Sequence, residues 1–141
     1  MPQNQTKPFA SDDPEMQAAI MTAKTSLGQF LQAFMHPSKE QRAFLIKAVF
    51  VEGDQAEHIW LADLSFAGGI PRGVVANEPA LPGMRFKQSV EIEPSQITDW
   101  MYVENGYLVG GYTTRLIRQR MSPNERRDFD ASAPYKIREV G

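Results

Sequence analysis

The 141-residue chain contains no cysteine. That single absence excludes disulfide stapling, thiolate metal ligation and thiol nucleophiles together, and it fits a reducing compartment. Histidine is scarce: His36 and His58 are the only two, without the H-x-H or H-x-x-x-H spacing that places two ligands on one metal. No run of apolar residues approaches the roughly 20 needed to span a bilayer. The opening MPQNQTKPFASDDPEM is polar and lacks the apolar h-region of a leader. A cytoplasmic protein is therefore expected. Excess charge is also missing: 15 Lys and Arg against 17 Asp and Glu leave a net charge of -2, so no global field selects nucleic acid or membrane. Neither a P-loop, a dinucleotide fingerprint nor a G-x-S-x-G elbow occurs, and no cofactor or metal is expected.

What is present is ordinary for a globular chain, with 42% hydrophobic and 23% charged residues. Residues 1–12 read as a disordered or loose tail and 13–141 as a single domain. Asp13 is a suitable N-cap with Pro14 at the first helical position. Met16, Ala19, Ile20, Ala23, Leu27, Phe30, Leu31 and Phe34 then recur with helical spacing, which predicts one amphipathic helix to about Met35.

Strand patterns take over after Pro37. Arg42 to Glu52 places Phe44, Ile46, Ala48 and Phe50 on one face. Gly53-Asp54-Gln55 turns the chain into Glu57 to Phe66, where His58, Trp60, Ala62 and Leu64 share a face. Ile70 to Asn77 is a third strand, its Pro71 at an edge. Lys87 to Glu93 is a fourth. The stretch from Ile97 reads as strand, a tight turn at Glu104-Asn105-Gly106, and a return strand Tyr107 to Val109. A helix of two to three turns is predicted from Tyr112. Another starts at Ser122-Pro123-Asn124-Glu125, a capping box that leads to about Phe129. From Ala131 the chain is extended or loose. The sum is α+β: an N-terminal amphipathic helix, a curled, mainly antiparallel sheet of five or six strands, and short C-terminal helices, with a small barrel as the alternative.

Gly110-Gly111 supports two readings. In one, the amides of Gly111 to Thr113 form an anion-binding helix N-terminus beside Arg115. In the other, the glycines only turn the chain. The second is preferred, because a lone Gly-Gly lacks the lysine and spacing of a P-loop. The arginines at 115, 118, 120, 126 and 127 could make a basic patch with Tyr112, but a pI near 5.7 speaks against a dedicated nucleic-acid binder. Trp60 and Trp100 read as core anchors of neighbouring strands, or else as exposed anchors of a binding surface. His58 reads as a structural or contact residue.

The segments EHIWL (57–61), IPRGVVANEP (70–79) and DWMYVENGYLVGGYTTRLIRQRM (99–121) resemble the YegJ-like family of small bacterial proteins, which carry a domain of unknown function. The resemblance covers about residues 40–127 and leaves the N-terminal helix outside. It implies a bacterial source, a compact α+β domain and a family surface of His58, Trp60, Asp99, Trp100, Gly110, Gly111, Tyr112, Thr113 and Arg115. Arg118 completes the candidate binding set. The resemblance brings no established activity.

Without a catalytic constellation, the expected function is a non-catalytic protein-binding module, in concrete form an immunity protein neutralising a bacterial toxin. An inhibitor needs only a complementary surface. The alternative is a small enzyme or anionic-ligand-binding domain with a site near His58, Asp99, Tyr112 and Arg115. The expected partner is a protein, with neither membrane nor nucleic acid.

Overall fold

The computed structural model describes residues 5–8 and 13–138. Its elements are β1 (Gln5–Pro8), α1 (Pro14–Thr25), α2 (Leu27–Met35), β2 (Gln41–Glu52), β3 (Gln55–Ser65), β4 (Arg72–Val75), β5 (Ser89–Glu91), β6 (Ile97–Glu104), β7 (Tyr107–Gly110), α3 (Tyr112–Gln119) and α4 (Pro123–Ser132). The strands form one open antiparallel sheet in the order β5-β4-β3-β2-β6-β7, and β1 pairs with the first residues of β3. The sheet does not close, so the barrel alternative is not realised. Of the loose tail expected over residues 1–12, Gln5–Pro8 pairs in register with His58–Gln55 instead, and the other positions lie outside the described residues.

Each face of the sheet carries its own core. On one face Ile46, Ala48, Ile59, Leu61, Trp100 and Tyr102 pack against Ala23, Phe30 and Ala33 of the N-terminal helices. Phe30 lies 5.8 Å from Trp100 and 5.9 Å from Phe44, ring centre to ring centre. On the other face Leu45, Trp60, Met101, Val103 and Leu108 pack against Tyr135, with Phe129, Ala133 and Ile137 around them. The face expected for Phe44, Ile46, Ala48 and Phe50 of β2 is the one observed.

The predicted single helix is two. Asp13 caps α1 through Met16 N at 3.1 Å, with Pro14 first in the helix as expected. The helix ends at Ser26, whose φ of -104° and ψ of 7° are not helical. The apolar spacing continues across this break, so periodicity could not reveal it. The reason is tertiary: the Trp100 indole N–H donates to Ala23 O at 3.1 Å, a carbonyl that an unbroken helix would pair with Leu27 N.

A second correction concerns β3. Its register with β4 shifts between Ala62 and Ser65, where Asp63 has φ 47°. The inserted residue flips the remainder of the strand, and Leu64 joins Ile59 and Leu61 rather than His58 and Trp60. A similar shift in β2, between Arg42 and Leu45, coincides with Ala43 at φ 57°. The third strand contracts to Arg72–Val75 and the fourth to Ser89–Glu91, which is the sheet edge beyond Pro71. The expected turn at Asn105-Gly106 is present, with φ of 53° and 82°. The capping box at Ser122 is also present, and α4 runs past Phe129 to Ser132.

Candidate functional site

The junction between β6 and α3 is where the most polar chemistry is buried. Asp99 points from β6 toward the start of α3 and is fully buried. One oxygen accepts from Trp100 N at 2.8 Å and Tyr112 N at 3.1 Å; the other accepts from Thr113 N at 2.9 Å and from the Thr113 hydroxyl. The carboxylate thus acts as an N-cap from a neighbouring strand, meeting both the free amides and the positive end of the α3 dipole. Lys47 stands opposite Asp99 in the ladder and donates to Thr113 Oγ1 at 2.7 Å. Its ammonium lies 5.0 Å from the Trp60 ring centre. Burial pushes the Asp99 carboxyl above its ordinary value, against the opposing pull of Lys47 and the hydrogen bonds from Thr113 and Trp100.

Gly110 and Gly111 make this junction. Gly110 has φ 74°, and a Cβ there would meet the Trp100 ring and the Trp100 carbonyl oxygen at 2.5 Å. Gly111 has φ 64° and donates to Trp100 O at 2.7 Å. The pair is both a turn and a close approach. The amides of Gly111, Tyr112 and Thr113, considered as an anion cradle from sequence, are taken by Trp100 O and Asp99.

Arg115 faces the edge of the sheet rather than a ligand. Its Nε donates to Gly110 O and its Nη2 to Leu108 O, both at 2.8 Å. The guanidinium fork matches two outward carbonyls of β7 and stands in for a missing strand. Desolvation lowers the arginine pKa from its ordinary value.

The structure therefore divides the sequence-predicted residues. Trp60, Asp99, Trp100, Gly110, Gly111 and Thr113 are buried, and only His58, Tyr112, Arg115 and Arg118 are partly exposed. Both tryptophans are core anchors, one on each face of the sheet. Asp99, Tyr112, Thr113 and Lys47 come together. His58 makes a contact through Nδ1 to Thr98 Oγ1 at 3.1 Å, next to Asp99 along β6. The other arginines are also engaged. Arg118 pairs twice with Asp130 at 2.8 Å, and Arg120 clamps Asp13 and Glu15 at the start of α1. Arg126 donates to the carbonyls of Arg118, Gln119 and Met121, as a residue below a helix C-terminus does.

Three residues of weight were not singled out from sequence. Lys47 is one; its signal was a lone lysine in the apolar run RAFLIKAVFVE. Glu57 is buried and accepts from Ala80 N at 2.8 Å and Leu81 N at 3.1 Å, which pins the loop after β4. Tyr135 fills the second core. Among the described residues, no three His, Asp or Glu side chains gather as metal ligands would. Nor is any described helix long and apolar enough to cross a membrane.

A family model described as "Uncharacterized protein conserved in bacteria (DUF2314)" matches residues 13–135. That span includes α1 and α2, which the segments carrying the resemblance leave out. The chain is 30% identical to "Uncharacterized protein YegJ" of Escherichia coli over 103 residues, 72% of this chain and 66% of that protein. It is 38% identical over 82 residues, 57% of this chain, to a "Putative ankyrin repeat protein" of Neisseria meningitidis serogroup B, of which the match spans 32%. The chain thus spans just under two thirds of the first relative and about one third of the second. No solved structure matches it.

Proposed function

We propose that this chain, which belongs to the bacterial DUF2314 family, is a non-catalytic protein-binding module. The observation that carries the reading is the internal occupation of its polar groups. Asp99 and Lys47 both bond Thr113 in the interior, and Arg115 serves the sheet edge. Groups held this way brace a fold, and recognition is assigned to the outer surface, which needs only complementarity to a partner. The relative named for ankyrin repeats supports the same direction. Ankyrin arrays stack into extended binding surfaces, and a domain shared with such a protein suits work in protein assemblies.

The concrete form to test is an immunity protein that holds a bacterial toxin inactive. Among the exposed large apolar side chains, Met21 of α1 at 59%, Met35 of α2 at 61% and Phe86 of the loop between β4 and β5 at 46% lie on separate segments. Replacing each by Glu leaves the core intact. Affinity capture from the source cell with the wild type and with Met21→Glu, Met35→Glu and Phe86→Glu is expected to yield one stoichiometric protein, lost in one variant and kept in the others. Recovery of only the free chain at every concentration tried overturns the reading.

The alternative, an anionic-ligand site near His58, Asp99, Tyr112 and Arg115, retains His58 and Arg115 as partly exposed polar groups. Its amides are engaged, so phosphate is expected to leave the thermal midpoint unchanged. A rise that grows with phosphate concentration would restore that alternative.

A further inference from the structure

We infer that the outer edge of β7 is a strand-addition surface that the chain keeps covered with its own residues 134–138, and that a protein partner binds by displacing this strap with an extended segment of its own. The inference rests on the protein-binding reading above and names its mode.

β7 is the last strand of the sheet, and its outward backbone groups are covered in two ways. One cover is fixed: the half-buried Arg115, forked onto Leu108 O and Gly110 O. The other is the strap. Leu108 N donates to Lys136 O and Lys136 N donates to Gly106 O, each at 2.8 Å, which makes an isolated parallel bridge between Tyr107 and Lys136. Alternation then places Tyr135 and Ile137 in the core around Leu45, Trp60, Met101, Val103 and Leu108, while Pro134, Lys136 and Arg138 point outward. Strand-addition peptides are read in the same way, the backbone supplying affinity and alternate side chains supplying specificity.

Three features make the strap a replaceable occupant. It is tied by a single bridge, whereas β6 pairs with β7 through four residues. The Tyr135 hydroxyl is buried without a hydrogen-bond partner, a desolvation cost that a purely apolar side chain in the same seat avoids. Besides the packing of Tyr135 and Ile137, its other polar ties among the described residues are at the surface, where charged contacts contribute little: Arg42 Nη2 to Pro134 O at 3.1 Å, and Arg138 over the Tyr107 ring at 4.2 Å. The occupant that fits is an extended segment of a partner protein, parallel to β7, with an aromatic or large aliphatic side chain in the Tyr135 seat and an aliphatic one two residues on.

Hydrogen exchange on the unmodified full chain tests the strap. The Leu108 amide is expected to exchange at least about 100-fold faster than the slowest amides of β6, through local opening. Equal rates mean the strap opens only with the whole fold, and overturn the inference. A labelled peptide of residues 133–141 tests the surface. It is expected to bind the full-length Tyr135→Ala chain about 10-fold or more tightly than the wild type, because the competing strap is weakened. The same peptide with Tyr135→Ala is expected not to bind. Failure of the native peptide to bind either chain overturns strand addition while leaving the capture experiment, and the protein-binding reading, standing. Peptide binding together with a capture that yields only free chain retires that reading and leaves the displaceable strap supported.

Discussion

The indole N–H of Trp100 donates to the Ala23 carbonyl at 3.1 Å and reaches Ser26 Oγ at 3.2 Å, so one side chain of β6 fixes the point at which the N-terminal helix breaks. Trp100→Phe removes the donor and leaves the Ala23 carbonyl with the longer contact from Ser26 Oγ at 3.3 Å. The lost hydrogen bond costs about 0.5–1.5 kcal/mol, and the unfilled volume adds to it. Urea unfolding at neutral pH measures the sum. A loss under about 0.5 kcal/mol, the range of an ordinary surface substitution, would mean that the break forms without Trp100.

Gly110 and Gly106 separate two costs that are usually mixed. Both have positive φ, but only at Gly110 does an added Cβ strike anything, the Trp100 ring and carbonyl at 2.5 Å. Gly106→Ala is expected to cost about 1–2 kcal/mol, the penalty of the left-handed conformation. Gly110→Ala carries that cost plus about 1–3 kcal/mol of overpacking. Equal losses in chemical denaturation would place no steric limit at the β7–α3 junction.

Ala43 reverses the argument. It is an exposed non-glycine residue at φ 57° within the β2 bulge. Ala43→Gly relieves roughly 1 kcal/mol of backbone strain, offset in part by the greater freedom of glycine in the unfolded chain. A small net rise in the thermal midpoint is expected. A fall would show the bulge to be comfortable for alanine.

Tyr135→Phe is expected to leave stability at neutral pH unchanged or raised, because the hydroxyl has no hydrogen-bond partner to lose. Alkaline behaviour gives a second readout. Burial pushes the Tyr135 phenol up to about 12 from an ordinary value of 10.0. The neutral form is favoured in the folded state, so this stabilisation is complete below pH 10 and is lost as pH rises through about 12. Titrating urea stability through that window should show the wild type falling more steeply than Tyr135→Phe. Parallel curves would mean that the phenol titrates as freely folded as unfolded.

The elements were legible where local chemistry decides them. Asp13-Pro14, Asn105-Gly106 and Ser122-Pro123-Asn124-Glu125 announced caps and a turn that the structure contains, because each acts within four residues of itself. The helix break at Ser26 was not legible, since its cause is a tryptophan 74 residues away. The face of Leu64 was not either, because one bulged residue at Asp63 inverts an alternation that reads cleanly in the sequence. The segment with the most specific resemblance, Asp99 to Arg115, forms one structural unit at the β6–β7–α3 junction. Its residues read as a surface because Asp, Thr and Arg are normally exposed. Their burial depends on Lys47 and on the β7 edge, which no local pattern reports.

The central claim is that Lys47, Thr113 and Asp99 form an interior brace. A double-mutant cycle with Lys47→Met and Asp99→Asn, read by urea unfolding, tests it most directly. Each single change leaves the other group buried without its counterpart and is expected to cost about 3–5 kcal/mol. The double variant is expected to cost less than the sum by at least about 1 kcal/mol. Single losses under about 1 kcal/mol, with full additivity, would contradict the brace and return Asp99 and Lys47 to the search for chemistry.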